Sequence, residues 1–311
     1  MKTASIISRT TGVGLDRDSR LLADALAHLG IRAEHFRPNH VVHALLRRGR
    51  IRHYFHLERM YPLWRYVPGV HFLIPNQERY PRRLVGRLKG VDTVLCKSRH
   101  ACDIFSQLHP DTRYLGFTSE DHLAVDAVTD YGRFFHLAGK STLKNTSCVL
   151  GLWREHPEWP PLTLVQHPRN APKTVPSNVR LIADHLPDTE LCRLQGECGI
   201  HLCPSLSEGW GHYIAEAMSC RAVTVVTDAP PMNELVQCTR GVTVSYYRTE
   251  PRHLGTNYFV DPALLGQTVE RLIRMPHQDR ERLGNAARQW FEKNHQAFLR
   301  NLSAVLCPTK Q

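Results

Sequence analysis

The feature that most constrains this chain is a succession of short apolar runs, each separated from the next by helical or turn-rich sequence. In the first part they fall at residues 5–8, 31–36, 70–74 and 93–96. Between the first two, residues 16–29 set Leu22, Ala25, Leu26 and Leu29 on one helical face, and residues 98–108 read as a helix after the fourth. Strand–helix alternation of this kind buries apolar strands in a parallel sheet covered by helices. The acidic stretch 119–131, poor in large apolar residues, reads as a junction, after which the pattern restarts at 134–138, 162–165, 179–182, 199–203 and 223–227. The expected fold class is therefore α/β with two doubly wound domains, residues 1–130 and 131–311. The 311-residue length suits two domains of roughly 100–200 residues each. Residues 261–306 read as helices, with Leu264, Leu265, Val269, Leu272 and Ile273 at helical spacing, placed to pack back on the first domain.

Residues of the apolar set make up 42% and charged residues 22%, which excludes collagen-like, low-complexity and wholly disordered chains. No window approaches the ~18 apolar residues of a membrane span, and residues 4–7 are too few for a signal-peptide core. A cytoplasmic protein with reduced thiols is expected. Its nine cysteines include no CxxC pair, and the densest group is Cys192, Cys198, His201 and Cys203. Zinc could use these ligand types, but residues 199–203 read better as a buried strand in which cysteine is a small apolar residue. No metal is expected.

Three motifs imitate phosphate or metal sites. Gly139-Lys140-Ser141-Thr142 ends like a P-loop but lacks its glycine-rich first half. Gly12 and Gly14 follow a strand and precede a helix, as in a dinucleotide site, yet Arg17 occupies the third glycine position. Asp16 and Asp18 open a helix, where a cap and dipole complement is the ordinary role.

The informative stretch runs from Pro204-Ser205 through Glu208-Gly209-Trp210-Gly211-His212-Tyr213 to Glu216-Ala217-Met218. A buried strand ends there at a loop holding a carboxylate and two glycines. Glycines let a backbone approach a ligand closely, and the following helix start offers N–H groups to phosphate. Glu216 lies about two turns into that helix, where a carboxylate can accept hydrogen bonds from paired hydroxyls. Glycines, a helix start and two spaced acids suit a sugar nucleotide.

This segment resembles the E-x7-E signature of retaining glycosyltransferases of the GT-B fold, family-4-like. The likeness continues through 221–227, Asp228-Ala229-Pro230-Pro231 and Asn233-Glu234. Upstream, residues 134–145 resemble the first strand of the family's donor domain, followed by Gly139, Lys140 and Lys144, with Asn145 where glycine is usual. The resemblance implies two Rossmann-like domains with an interdomain cleft, the first binding acceptor and the second a UDP- or GDP-sugar. It implies a metal-independent hexosyl or pentosyl transferase that retains anomeric configuration. Glu216 would bind the ribose hydroxyls, and Glu208 the donor-sugar hydroxyls. N–H groups from Gly209 to Tyr213, including Gly211 and His212, would steady sugar and phosphate. Gly12 and Gly14 would face the diphosphate, and Lys140 and Lys144 would stabilise charge on the leaving group. His71 is a candidate for reaching the transferred sugar, although residues 71–76 match that family motif loosely.

Charge is uneven. The formal net charge is +11, and the segment 37–89 holds twelve basic residues against Glu58 and Glu78. Aromatic Tyr54, Phe55, Tyr61, Trp64, Tyr66 and Tyr80 interleave it. Arg47, Arg48, Arg50, Arg52, Tyr54, Arg82 and Arg83 are candidate acceptor contacts. Arginines for phosphates and rings for an extruded base suit a DNA acceptor, a hydroxymethylated base being slightly favoured. Alternatively, residues 47–66 form a basic amphipathic helix on an anionic membrane, bringing a lipid-linked or polysaccharide acceptor to the site. A solvated surface with the aromatics in the core is the plain structural reading. From a different class stands a non-catalytic nucleic-acid-binding module on a retired GT-B fold, against which both acids, both glycines and the paired lysines argue.

Overall fold

The computed structural model describes residues 2–9, 13–46, 51–124 and 126–307. The chain divides into two compact units, unit 1 holding Met1–Thr118, Pro251–Thr256 and Asn294–Gln311, unit 2 holding Ser119–Glu250 and Asn257–Lys293.

Unit 1 runs β1 (Lys2–Ile7), α1 (Val13–His28), β2 (Ile31–Phe36), α2 (Val41–Leu46), β3 (His53–Leu57), β4 (Val70–Ile74), β5 (Thr93–Cys96), α3 (Arg99–Phe105) and β6 (Thr112–Tyr114). Its strands form one sheet in the order β2-β1-β3-β4-β5-β6, all neighbours parallel. A 3₁₀ stretch, Arg82–Gly90, lies between β4 and β5. Ser98 caps α3, its side chain accepting from the Ala101 N–H, which explains the helix start at that residue. The core gathers Tyr54, Trp64, Tyr80 and Phe105, and Phe298 lies 5.2 Å from Phe117 within the same unit.

Unit 2 runs β7 (Asp130–Gly139), α4 (Thr146–Glu155), β8 (Leu162–Gln166), β9 (Val179–Ile182), α5 (Asp188–Glu197), β10 (Cys198–Cys203), α6 (His212–Ser219), β11 (Val223–Thr227), α7 (Met232–Leu235) and β12 (Val242–Val244). There follow a two-stranded sheet of β13 (Tyr246–Arg252) and β14 (Gly255–Val260), then α8 (Pro262–Arg274) and α9 (His277–Leu306). The second six-stranded parallel sheet has the order β12-β11-β10-β7-β8-β9. Phe134, Trp153, Trp159, Leu162, Ile200 and Val225 anchor its core.

Both sheets are doubly wound α/β sheets, as the alternating pattern predicts. In such a sheet, ligands bind beyond the carboxyl ends of the strands where the order reverses. That reversal falls between β1 and β3 in unit 1 and between β7 and β10 in unit 2.

The expected helix over 47–66 is not present among the described residues. Residues 53–57 instead form β3, hydrogen-bonded between β1 and β4, with four of its five side chains buried. Tyr54 and Phe55 favour the pleated, buried position, and Pro62 opens a separate five-residue 3₁₀ turn ending at Tyr66. An amphipathic membrane helix here is thereby overturned. No described helix is long and apolar enough to cross a membrane.

Candidate active site

The chemistry-bearing residues of unit 2 converge beyond β7 and β10, the adjacent strands at which its order reverses. β10 is buried throughout and ends at Cys203, Pro204 follows it, and the next carboxylate is Glu208. β7 ends at Gly139, whose φ of +53° is one that glycine adopts without strain. The chain then makes a 3₁₀ turn, Thr142–Lys144, and the Leu206 N–H donates to the Leu143 carbonyl at 2.8 Å, tying the two loops together. Asn145 has φ 58° and ψ 35°, the left-handed conformation that asparagine tolerates best among residues with a side chain. This accounts for asparagine where the resembled pattern has glycine.

Four side chains form one network. Lys144 Nζ lies 2.6 Å from Glu208 Oε1, with 14% and 13% of the side chains exposed. Ser205 Oγ donates to the same carboxylate oxygen at 2.6 Å. Because the serine proton is committed there, the Tyr213 hydroxyl is the donor in its 2.5 Å contact with Ser205 Oγ. Lys144 Nζ also sits 3.5 Å from the Tyr213 ring centroid, a cation–π contact. Burial raises the Tyr213 phenol well above its usual range, so it stays a neutral donor. Thr227 Oγ1 donates to the Ser205 carbonyl and the Tyr258 N–H to that of Leu206, fixing the loop.

Behind the network, His136 bonds the Leu202 carbonyl through Nδ1 and Thr146 through Nε2. Burial, opposed by that carbonyl and reinforced by the Lys144 charge, pushes its imidazole down to about 4. A neutral histidine therefore backs the lysine and adds no competing charge.

Gly211 begins α6 at φ +101°, and a Cβ there would stand 3.0 Å from Ile214 Cδ1 and 3.7 Å from Glu208 Cγ. The backbone thus requires glycine here, and a side chain would in addition press on the Ile214 methyl. His212 Nδ1 meets Ser119 Oγ at 2.9 Å, and Trp210 Nε1 donates to that same hydroxyl. Gly209 and Tyr213 are buried, and Glu216 on α6 is fully buried. Lys140 is exposed at the end of β7, its carbonyl accepting from Asn170.

Of the expected site residues, the structure joins Glu208, Lys144 and Tyr213, and places Gly209, Gly211, His212 and Glu216 along the same loop and helix. Spacing alone did not disclose Ser205, Ser119 or Trp210. The Pro-Ser dipeptide before Glu208 was the available signal for the first.

Other expectations are corrected. His71 on β4 is 4% exposed, with Nδ1 3.0 Å from His56 Nε2 and Nε2 2.8 Å from the Val67 carbonyl. Both ring nitrogens are engaged and Tyr54 stacks on it at 5.0 Å, so it is a core histidine and does not reach a sugar. Tyr54, Phe55, Trp64 and Tyr80 all have zero exposure, which removes Tyr54 as an acceptor contact and four of the six rings from any base-stacking surface. Arg52, Arg82 and Arg83 are exposed. Arg47, Arg48, Arg50 and Gly12 lie outside the described residues, and Gly14 falls within the first turn of α1. Asp18 does more than complement a helix dipole: its Oδ2 lies 2.5 Å from Lys97 Nζ, and both side chains are buried. His201 contacts the Gln195 and Cys198 carbonyls from inside β10, and among the described residues no group of three or more His, Cys, Asp or Glu could hold a metal ion.

Residues 176–290, which contain Glu208 through Glu216, match the family model for "Glycosyl transferases group 1". No curated protein sequence matches the chain. Among solved structures, a glycosyltransferase from Rickettsia africae superposes with TM-score 0.74 at 11% identity, covering 97% of each chain. Sucrose-phosphate synthase from Thermosynechococcus elongatus gives 0.72 at 13% identity, covering 98% of each. HepE of Anabaena, solved with UDP and glucose, gives 0.73 at 11% identity over 98% of this chain and 99% of that one. At such identities the likeness establishes the fold, which is GT-B. The family match, nearly all of it in unit 2, is to a glycosyltransferase family.

Proposed function

We propose that the protein is a retaining glycosyltransferase that moves a sugar from a nucleoside-diphosphate donor, held by unit 2, to a hydroxyl of an anionic acceptor held by unit 1. The observation that carries this is the Tyr213–Ser205–Glu208–Lys144 network at the strand-order reversal of unit 2. Glu208 accepts two short hydrogen bonds on one oxygen, which orients its carboxylate towards receiving sugar hydroxyls and leaves it poorly suited to covalent attack. Lys144, with Lys140, offsets negative charge on the departing diphosphate, the step where electrostatic stabilisation contributes most. Glu216 takes the ribose hydroxyls. The donor nucleotide is UDP by analogy with the complex of HepE, with GDP as the alternative. The sugar is a hexose or pentose, and the chemistry needs no metal.

With four of six rings in the core, the stacking arm of the DNA-base reading loses its support, while the exposed arginines keep an anionic acceptor in view. A lipid-linked or phosphorylated glycan acceptor fits better than an extruded base.

The test is calorimetric titration with UDP- and GDP-sugars, followed by turnover with anomer assignment of the product by NMR. Binding of one donor, retention of configuration, and a fall in turnover of about 100-fold or more in Glu208→Gln and Lys144→Met are expected. Failure of every common sugar nucleotide to bind would refute the proposal. Salt-sensitive nucleic-acid binding, unchanged in Glu208→Gln and without turnover, would establish the retired-fold alternative.

A further inference from the structure

Unit 1 holds a pocket of about 490 Å³ lined by Arg9, Arg59, Arg83, Arg87 and Tyr61. Arg9 follows the end of β1, and Arg59 and Tyr61 follow the end of β3. These are the two strands at which the order of this sheet reverses, so the pocket sits where a doubly wound sheet receives ligands. Arg83 and Arg87 come from the 3₁₀ stretch after β4.

The four guanidinium groups converge with little compensation. Among the described residues only Arg59 has a carboxylate partner, Glu58 at 3.2 Å. Arg87 reaches the Met60 carbonyl at 3.4 Å, and Arg9 lies over the Tyr61 ring at 5.7 Å. Arg83 is exposed, with no ion pair to another described residue. Glu58 adopts φ 67°, a left-handed conformation disfavoured for a side chain of its size, at the turn that delivers Arg59 and Tyr61 to the pocket. Concentrating like charge around one concavity is unfavourable unless an anion offsets it, and guanidinium forks match phosphate oxygens in geometry and charge.

We propose that this pocket binds a phosphoryl group of the acceptor, through Arg9, Arg59, Arg83 and Arg87, and so selects a phosphate-bearing acceptor. The inference rests on the reading of unit 1 as the acceptor unit. A compact pocket fed from three chain segments fits a discrete phosphate or pyrophosphate, whereas a polymer backbone calls for an extended groove.

The experiment titrates native protein and the double variant Arg9→Gln/Arg83→Gln with inorganic pyrophosphate in saturating UDP or GDP, so that the donor site is filled. Each lost charge-assisted contact weakens binding about 10-fold, giving roughly 100-fold for the pair. Should the pair fail to fold, Arg83→Gln alone is expected to lose about 10-fold. Vesicles of phosphatidylcholine with phosphatidic acid form a second arm. Pocket-dependent binding there identifies a lipid-borne phosphate, and pocket-dependent binding of pyrophosphate alone a soluble one. Pyrophosphate affinity equal in native and variant proteins overturns the proposal. So does tight binding of a single-stranded oligonucleotide by a protein that ignores pyrophosphate. The nucleotide is titrated separately: unchanged affinity in the variant locates the loss in the pocket. If neither UDP nor GDP binds the native protein, the glycosyltransferase reading fails while the pyrophosphate comparison, run without nucleotide, still decides the pocket.

Discussion

Replacing Lys97 by Met removes one charge of a buried pair. Its ammonium lies 2.5 Å from Asp18 Oδ2, with side-chain exposures of 3% and 5%, and 4.5 Å from the Phe117 ring centroid. At an effective dielectric constant of about 20 the attraction at this separation is about 7 kcal/mol, largely offset by the desolvation of two ions. The pair therefore adds little net stability, but breaking it takes the Lys97 charge away from the buried Asp18 carboxylate and costs about 3–5 kcal/mol. At roughly 2–4 °C per kcal/mol, the melting temperature should fall by about 6–20 °C. The assay is a thermal melt with a urea titration on the native protein, Lys97→Met, Asp18→Leu and the double variant. The double variant should recover much of the loss, because an apolar pair of similar volume leaves no unpaired charge. A Lys97→Met protein melting within about 2 °C of the native one, or single-variant losses that simply add, would show that the pair is not coupled in the folded protein.

Further outcomes follow from the unit 2 site. Gly211→Ala forces a side chain into φ +101° and against Ile214, and should cost about 1–3 kcal/mol and lower turnover by shifting the loop that carries Glu208. Asn145→Gly should melt within about 1 °C of the native protein, while Asn145→Val, β-branched at φ 58°, should lose about 1–2 kcal/mol in urea. Burial holds the His136 and His201 imidazoles down at about 4 in the folded protein, so between about pH 6.5 and 4 the unfolded chain binds more protons. Stability should be full above pH 6.5 and fall towards pH 4, by on the order of 3 kcal/mol per histidine. His201→Asn should flatten that slope in denaturant titrations across the range.

Much of the fold is legible in the chain wherever a β-branched or aliphatic run meets a clear break. β2, β4, β5, β9 and β11 span the residues expected of them, and Ser98 declares the start of α3 by its capping chemistry. β3 escapes the same reading because histidines at 53 and 56 interrupt the apolar pattern within a charge-rich surround, although Tyr54, Phe55 and Leu57 are core residues. β12 has only three residues, and β13 exposes nearly all of its side chains, so neither leaves a hydrophobic signature. The site is legible in the same uneven way. Spacing singles out Glu208, Lys144 and Gly211, because each is tied to a local backbone requirement. The hydroxyl relay through Ser205 and Tyr213 depends on side-chain geometry at two turns of chain. The arginine pocket depends on β1 and β3 being neighbours, which no local pattern encodes.

The division of the chain bears on the order in which the protein can be made. Unit 1 needs Phe298 on Phe117, Asn294 on the Phe117 carbonyl and Asn301 on the Leu115 carbonyl, all contributed by the second half of α9. The residues of unit 2 end at Lys293. The earlier-encoded unit is thus completed last: the patch around Phe117 stays uncovered until the second half of α9 docks on it. A chain truncated after Lys293 should therefore keep unit 2 protected while unit 1, with its Phe117 patch uncovered, becomes the part cut in limited proteolysis.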